Sequence, residues 1–500
     1  MFLKKLWISL SLSCLAFSIL SAQNLGVFDQ HLDIGNPFIK GKVSYDKNSQ
    51  TFEITGSGNN IWFHKDQFQY LWKSIQGDFI LRAEISFEGN GSNAHRKTGW
   101  MIRNSFNTDA AHVSATVHGD GLTSLQYRNE KGANMLEQQM KITNPQVIQL
   151  ERNGDTYTFS AAKFGEPFTS TTITAHLKNE VFVGLFVCSH DSTSTTTVSF
   201  KNVRITKPAP ADLEPYKKYL GSRLELLNVK TGTRKVLMTF DHSIQAPNWT
   251  PDGKTLIYNA NGYLYQYDVK TGHITMLPTG NVINNNNDHV LTFNGTKLAI
   301  SNHNKENMGG SSIYILPLDG KGKATQITHN NGASYAHGWS PDENYIAFTG
   351  DRNGQLDLYT INTKTGEEKQ LTNFKTLDDG SEYSKDGKYI YFNSNRTGSM
   401  EIYRMNADGS QQTKLTNDDW NNWFPHISPD QKQLIFISFP KSVPSGDHPF
   451  YKHCVIRIMP IEGGTPKILA YIYGGQGTMN VPNWSPDGKY IAFITNSNQL

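Results

Sequence analysis

Six times along its C-terminal half the chain repeats one short device, most complete at Asn483-Trp484-Ser485-Pro486-Asp487-Gly488-Lys489-Tyr490-Ile491-Ala492-Phe493. An apolar anchor leads into a Pro-Asp-Gly turn and then into an alternating strand. Proline presets φ, aspartate bonds its own backbone and glycine accepts positive φ, so the segment specifies a hairpin. The other turns stand at Pro251-Asp252-Gly253, Phe293-Asn294-Gly295, Pro341-Asp342-Glu343, Lys385-Asp386-Gly387 and Pro429-Asp430-Gln431. From Asp252 onward the central turn residue recurs at intervals of 42, 48, 44, 44 and 57 residues, close to the roughly 40 to 45 residues that a four-stranded propeller blade occupies. A β-propeller is the fold that such spacing specifies.

A second repeat, out of phase with the first, sets the number of blades. Leu264 to Gly272 matches Leu358 to Gly366, with looser copies beginning at Ile313, Ile402 and Val455. A sixth copy, Leu224 to Gly232, precedes the first hairpin, while the chain stops at Leu500, soon after the last turn. The final blade therefore lacks its outer half, and the orphan segment Leu224 to Leu237 is expected to supply it by pairing with Tyr490 to Thr495. That closes the ring and removes an exposed sheet edge. Six blades are predicted.

The Trp484 to Phe493 element, the Ile402-Tyr403 strand with Gly409 behind it and Lys369-Gln370-Leu371-Thr372 resemble the WD40-like repeats of six-bladed TolB-type propellers over about residues 218 to 500. The resemblance implies a periplasmic or surface protein that binds partners on its propeller faces. TolB carries a small α/β domain ahead of its propeller, and no helical periodicity is found at that place here. What the resemblance implies is the propeller, not a role in the Tol-Pal system.

Five hundred residues exceed one core, so two domains are expected. Lys4-Lys5, the apolar stretch Leu6 to Leu20 and Ser21-Ala22 form the three-part pattern of a secretory signal peptide over residues 1–22, cleaved before Gln23. No later segment is long and apolar enough to span a bilayer. A formal charge of +3, from 47 basic and 44 acidic residues without a basic run, gives no nucleic-acid footprint. Cys188 and Cys454, one in each half, are read as buried free thiols.

Residues 23–205 alternate in about eleven short runs broken by Gly, Asn and Asp turns, which indicates a β-sandwich. Gly77-Asp78-Phe79, Thr98 to Arg103, Gln149 to Tyr157 and Val181 to Leu185 resemble concanavalin A-like jelly-roll modules, which implies glycan binding or a structural role. The Glu-x-Asp-x-x-Glu strand of related glucanases is absent, and Glu84 and Glu88 run into a loop, so that pair does not support acid–base work. Trp62, Phe63, Tyr70, Trp72 and Trp100 are candidates for a sugar-stacking platform against the plainer role of core filling. Trp62 and Trp72, in polar surroundings, are the preferred two. Residues 206–217 hold three prolines and few apolar groups, and are expected to form an extended spacer ahead of a propeller at 218–500.

The residues just ahead of each apolar anchor belong to the innermost strand of a blade. Aligned this way, His289, His337, Glu382 and His426 fall near the propeller axis in four consecutive blades. Imidazoles and a carboxylate in one cavity can hold a divalent metal or act as acid and base. Oligogalacturonate lyases are similar propellers with a His-rich metal site at this mouth. Against that stands channel lining or strand-to-strand hydrogen bonding, since neighbouring strand positions point opposite ways. Three irregular segments are candidate binding loops: Asn281 to Asp288, Pro440 to Lys452 with its exposed aromatics, and Gly474 to Asn480. No Gly-x-Ser-x-Gly elbow occurs, which excludes a prolyl-oligopeptidase-like hydrolase.

Taken together, these features predict an all-β, exported, non-catalytic binding protein without a cofactor, whose sandwich and propeller recognise a protein partner or a cell-envelope or extracellular glycan. The alternative is a carbohydrate-active enzyme, similar to oligogalacturonate lyases, using the four axial residues. The oligomeric state is left open.

Overall fold

A computed structural model describes residues 24–498 apart from 215, 306–309, 321, 330–331 and 353. The predicted signal segment lies outside the described residues. Strands are the regular elements of the described chain, and no helix in it is long and apolar enough to cross a membrane.

Five four-stranded antiparallel sheets follow one another from Gln245 to Gly474, and a further sheet is made from both ends of this half. In that last sheet Tyr490–Ser497 pairs with Gly221–Asn228, which in turn pairs with Arg234–Phe240, and Leu224 stands opposite Ile494. Trp484 bridges to Ile491 as the inner edge of the same blade. The ring is thus six-bladed and closed by the predicted pairing.

Each repeated turn is held by the same local bonds. A hydroxyl two residues before the turn carboxylate or amide donates to it in all six copies: Thr250 to Asp252, Thr292 to Asn294, Ser340 to Asp342, Ser384 to Asp386, Ser428 to Asp430 and Ser485 to Asp487, at 2.6 to 2.8 Å. The next residue takes positive φ even where it is Glu343 or Gln431 rather than glycine. Local bonding of this kind specifies a turn before tertiary contacts form.

The first half is a sandwich of two seven-stranded antiparallel sheets. Leu71, Leu185, Trp100, Ala115 and Leu125 line up across one sheet, and Phe159, Leu150, Leu81 and Ile205 across the other. The two rows belong to one buried apolar cluster, which is the sandwich core. Cys188 and Cys454 are buried and free.

Segment 206–217 does not stand clear as the spacer expected from its prolines. Lys207 bridges to Asn498, the Ala209 amide donates to the Tyr473 hydroxyl at 2.9 Å, and Leu213 packs beside Ile80, Phe450 and Tyr473. Sandwich and propeller meet through buried charge as well. Glu225 accepts from Arg204 of the sandwich at 2.6 Å and from Arg234 at 3.0 Å, so burial, which alone would raise its carboxyl, is outweighed and its pKa falls well below the usual range. Arg82 donates to the Tyr471 carbonyl across the same interface.

Candidate functional site

The inner strand of every blade runs from one opening of the central channel to the other. At the turn end lies a cavity of about 300 Å³ lined by the repeated anchors and prolines, among them Trp249, Trp339, Trp484, Pro251, Pro429 and Pro486. At the opposite end lies a cavity of about 730 Å³, lined by residues whose identity changes from blade to blade. Its floor gathers Asp288, His337, Asp379 and His448 with Asn285, Asn287 and Asn480, and its rim carries Tyr216 and Tyr219.

The four axial residues do not converge. His337 enters the larger cavity, where its Nε2 lies 2.9 Å from Asp379 Oδ1. Glu382 lines the smaller one and pairs with His426 at 2.7 Å. His426 Nε2 donates to the Met479 carbonyl at 2.7 Å, and Glu382 Oε1 accepts the Ile427 amide at 3.0 Å, so this pair laces neighbouring blades together. His289 is fully buried, lines neither cavity, and has its Nε2 3.3 Å from the Ile257 carbonyl; burial pushes its pKa down to about 4. The expected single cluster fails because the inner strands of the first five blades each carry a bulge, and its place varies. The register shifts between Asn285 and His289 in blade two but between Ala336 and Gly338 in blade three. A bulge re-aims the side chains beside it, so equal spacing from the anchor does not mean equal direction.

What the bulges bring together is an electrostatically coupled floor. Burial would raise the Asp379 carboxyl, but the His337 charge and the Thr349 hydroxyl, 2.6 Å away, bring it down to about 2. Burial would lower His337, and Asp379 outweighs it, so His337 is raised. Asp288 has no such rescue: burial drives it up to about 7, with His337 opposing and Asp379 adding to the rise. Asp288 Oδ1, Asn287 Nδ2, Asn285 Oδ1 and His448 Nδ1 are buried without a hydrogen-bond partner among the described residues.

All three irregular segments reach this cavity. Asn284 leads into a blade-two strand whose start, Asn285 to Asp288, lines the cavity, Gly446, His448 and Phe450 come from the long fifth-blade connection, and Gln476 and Asn480 from the glycine-rich one. The aromatics expected to be exposed in the second segment are buried: Phe450 faces the cavity, and Tyr451 bonds the Leu220 amide at 2.9 Å. Phe450 in turn holds Tyr216 and Tyr219 edge-on, at 5.5 and 5.6 Å between ring centres. Asp379, His448 and the two tyrosines were not singled out from the sequence. The only signal for His448 was the length of its loop.

In the sandwich, Trp100 is a core residue, Tyr70 is buried in a cluster on the outer side of one sheet with its hydroxyl 3.0 and 2.9 Å from the Met101 and Phe182 carbonyls, and Phe63 is exposed. Trp72 is half-buried against Phe106 and Phe182 on the outer side of one sheet. Trp62, also half-buried, lies over the Lys97 ammonium at 5.4 Å. The two tryptophans have separate neighbours.

A family model described as the TolB β-propeller domain matches residues 290–445. An uncharacterized protein of Agrobacterium fabrum is 38% identical over 282 residues, spanning 55% of this chain and 92% of that protein. Among solved structures, a candidate TolB from Agrobacterium tumefaciens is 37% identical, covers 56% of this chain and 100% of its own, and has a TM-score of 0.53. TolB from Acinetobacter baumannii is a more distant likeness, 19% identical over 51% of this chain and 64% of its own, with a TM-score of 0.41.

Proposed function

The chain belongs to the TolB-type β-propeller family, and from that premise we propose that it is an exported, non-catalytic binding protein whose ligand enters the tyrosine-rimmed end of the propeller channel. The observation that carries this is the set of buried polar atoms without partners on the floor of that cavity, Asp288 Oδ1, Asn287 Nδ2, Asn285 Oδ1 and His448 Nδ1. Each unsatisfied buried group costs about 1–3 kcal/mol, and a ligand that offers donors and acceptors together recovers that cost. Chains rich in hydroxyls or amides meet the requirement, which means a glycan or a polypeptide segment of a partner.

The rim supports the same ligand class. Tyr216 and Tyr219 are 57% and 45% exposed although Phe450 braces both, so two aromatic faces stand ready for stacking on a sugar ring or a peptide plane. In the proposed division the signal peptide occupies 1–22, a concanavalin A-like sandwich 23–205, a docked connector 206–217 and the propeller 218–500. Trp62 and Trp72 would give the sandwich an accessory glycan contact, and the mature protein would work in the periplasm or outside the cell.

The test screens the mature chain on a glycan array and against an envelope-protein extract, then measures the ligand found by calorimetry. The paired Tyr216→Ala, Tyr219→Ala variant and His337→Ala should each weaken binding about tenfold or more, equivalent to about 1.4 kcal/mol. Trp62→Ala and Trp72→Ala should leave the main affinity in place. Unchanged affinity in both cavity variants would sink the proposal.

A further inference from the structure

At one end of the sandwich, away from the propeller cavity, His95, His118 and Asp120 come together. Among the described residues they are the one group of three such side chains whose ligating atoms all lie within 4.8 Å of one another. His95 Nδ1 is 3.3 Å from Asp120 Oδ2, and neighbouring ligands around a tetrahedral zinc ion with bonds of about 2.1 Å stand about 3.4 Å apart. That pair already has ligand spacing, and the third atom lies within 4.8 Å of both.

The backbone holds the group in place. The turn that follows His118 is bonded to the loop of His95, with the Gly119 amide donating to Arg96 O and the Asp120 amide to Ala94 O, both at 2.8 Å. Asn93 Oδ1 accepts the His95 amide at 2.8 Å. His118 is 5% exposed, and its Nδ1 has no hydrogen-bond partner among the described residues. Its Nε2 touches the Gln126 amide at 3.2 Å, and that amide donates to Glu137 at 2.9 Å. The amide nitrogen can only donate to Nε2, so Nδ1 takes a metal once the Gln126 side chain turns to offer its oxygen to an Nε2–H, the usual support behind a metal-bound imidazole.

Two cations lie nearby, and Arg96 Nη2 donates to the Gly89 carbonyl at 2.9 Å while its Nε and Nη1 have no hydrogen-bond partner among the described residues. Lys97 donates to Asn60 Oδ1 at 2.9 Å, and the Arg96 guanidinium lies over the Phe87 ring. His190 stands 5.7 Å from His95 between ring centres, on the turn between two strands of the sandwich.

We propose that His95, His118 and Asp120 bind a divalent transition-metal ion, zinc foremost. Two imidazoles with one carboxylate suit zinc and its late first-row neighbours, whereas calcium and magnesium take oxygen-only sets. His95 and Asp120 are partly open to solvent, which leaves a coordination position for water or for an oxygen of a bound molecule.

The test uses the full mature chain without an affinity tag, stripped with a chelator and titrated with Zn²⁺ against a chromogenic indicator, with Co²⁺ absorption as a second readout. One ion per chain is expected, and His95→Ala and Asp120→Ala should each weaken binding about tenfold or more. Both side chains are solvent-accessible, so the fold is retained and a melting curve confirms it. His176→Ala removes another surface His–Asp pair, His176 with Asp155 at 2.8 Å, and should change nothing. Failure of the parent to take up one ion, affinity undiminished in both cluster variants, or loss in His176→Ala would overturn the site.

Discussion

The two ends of the propeller channel are built by the same six inner strands and share almost no chemistry. At the turn end the repeat supplies the lining: Trp249, Trp339 and Trp484 recur at one position, and Trp339 spends its indole N–H on the Val290 carbonyl at 2.9 Å. At the other end the lining changes identity from blade to blade, as Gln245, Asn287, Tyr335, Asp379 and Asn480 do at one position before the anchor, and the floor is made of acidic, imidazole and amide groups, several without partners. A side chain that every blade must reuse is under a packing requirement, whereas side chains that differ from blade to blade are free to build a site.

If that division holds, substitutions at the two ends should fail in different ways. Trp339→Ala, at the repeating end, should cost about 3–5 kcal/mol of stability by opening a cavity in the core. The loss is read from the denaturant midpoint, while the folded fraction keeps its ligand affinity; a folded variant without affinity would break the division.

At the other end the expected signature is a pH dependence. Asp288 ionises near 3.8 in the unfolded chain and at about 7 in the fold. The folded state therefore holds an extra proton between those values, and stability from this residue is lost as pH rises from about 4 to about 7. The change should be on the order of 2–4 kcal/mol, and Asp288→Asn should flatten that part of the stability curve. Asp379→Asn should act next. It removes the carboxylate that raises His337, so the His337 titration followed by NMR should move down while stability falls about 1–2 kcal/mol. Smallest of all, Tyr216→Ala should change stability by no more than about 0.5 kcal/mol. Its effect should show in ligand affinity alone, and a larger stability loss would assign the rim tyrosine to the docking of the two halves.

Much of the fold was legible because its determinants are local. The Ser/Thr-x-Asp turn makes its own hydrogen bonds within three residues, so it can be read wherever it occurs. Ring closure was also legible, because one hairpin half was left over at each end and Leu224 does meet Ile494. The candidate site was not legible by column. His289 and His337 share a position relative to their anchors, yet one is sealed against Ile257 and the other faces Asp379. Bulges of different placement separate them, and nothing in the alternation announces a bulge. Ala246 and Phe424 take positive φ beside theirs although neither is a glycine. The irregular segments did point to the cavity, but as loop lengths rather than as named side chains.

By itself the sequence determined a six-bladed ring, its turns and the strand that seals it, because each follows from bonds between near neighbours or from counting strands. Only the tertiary structure decided that the connector packs against both halves, that Asp288, His337, Asp379 and His448 share one floor, and that His95 meets Asp120. Those meetings join residues of separate strands and loops. Blade rotation and strand bulges set them, and neither leaves a periodic mark in the chain.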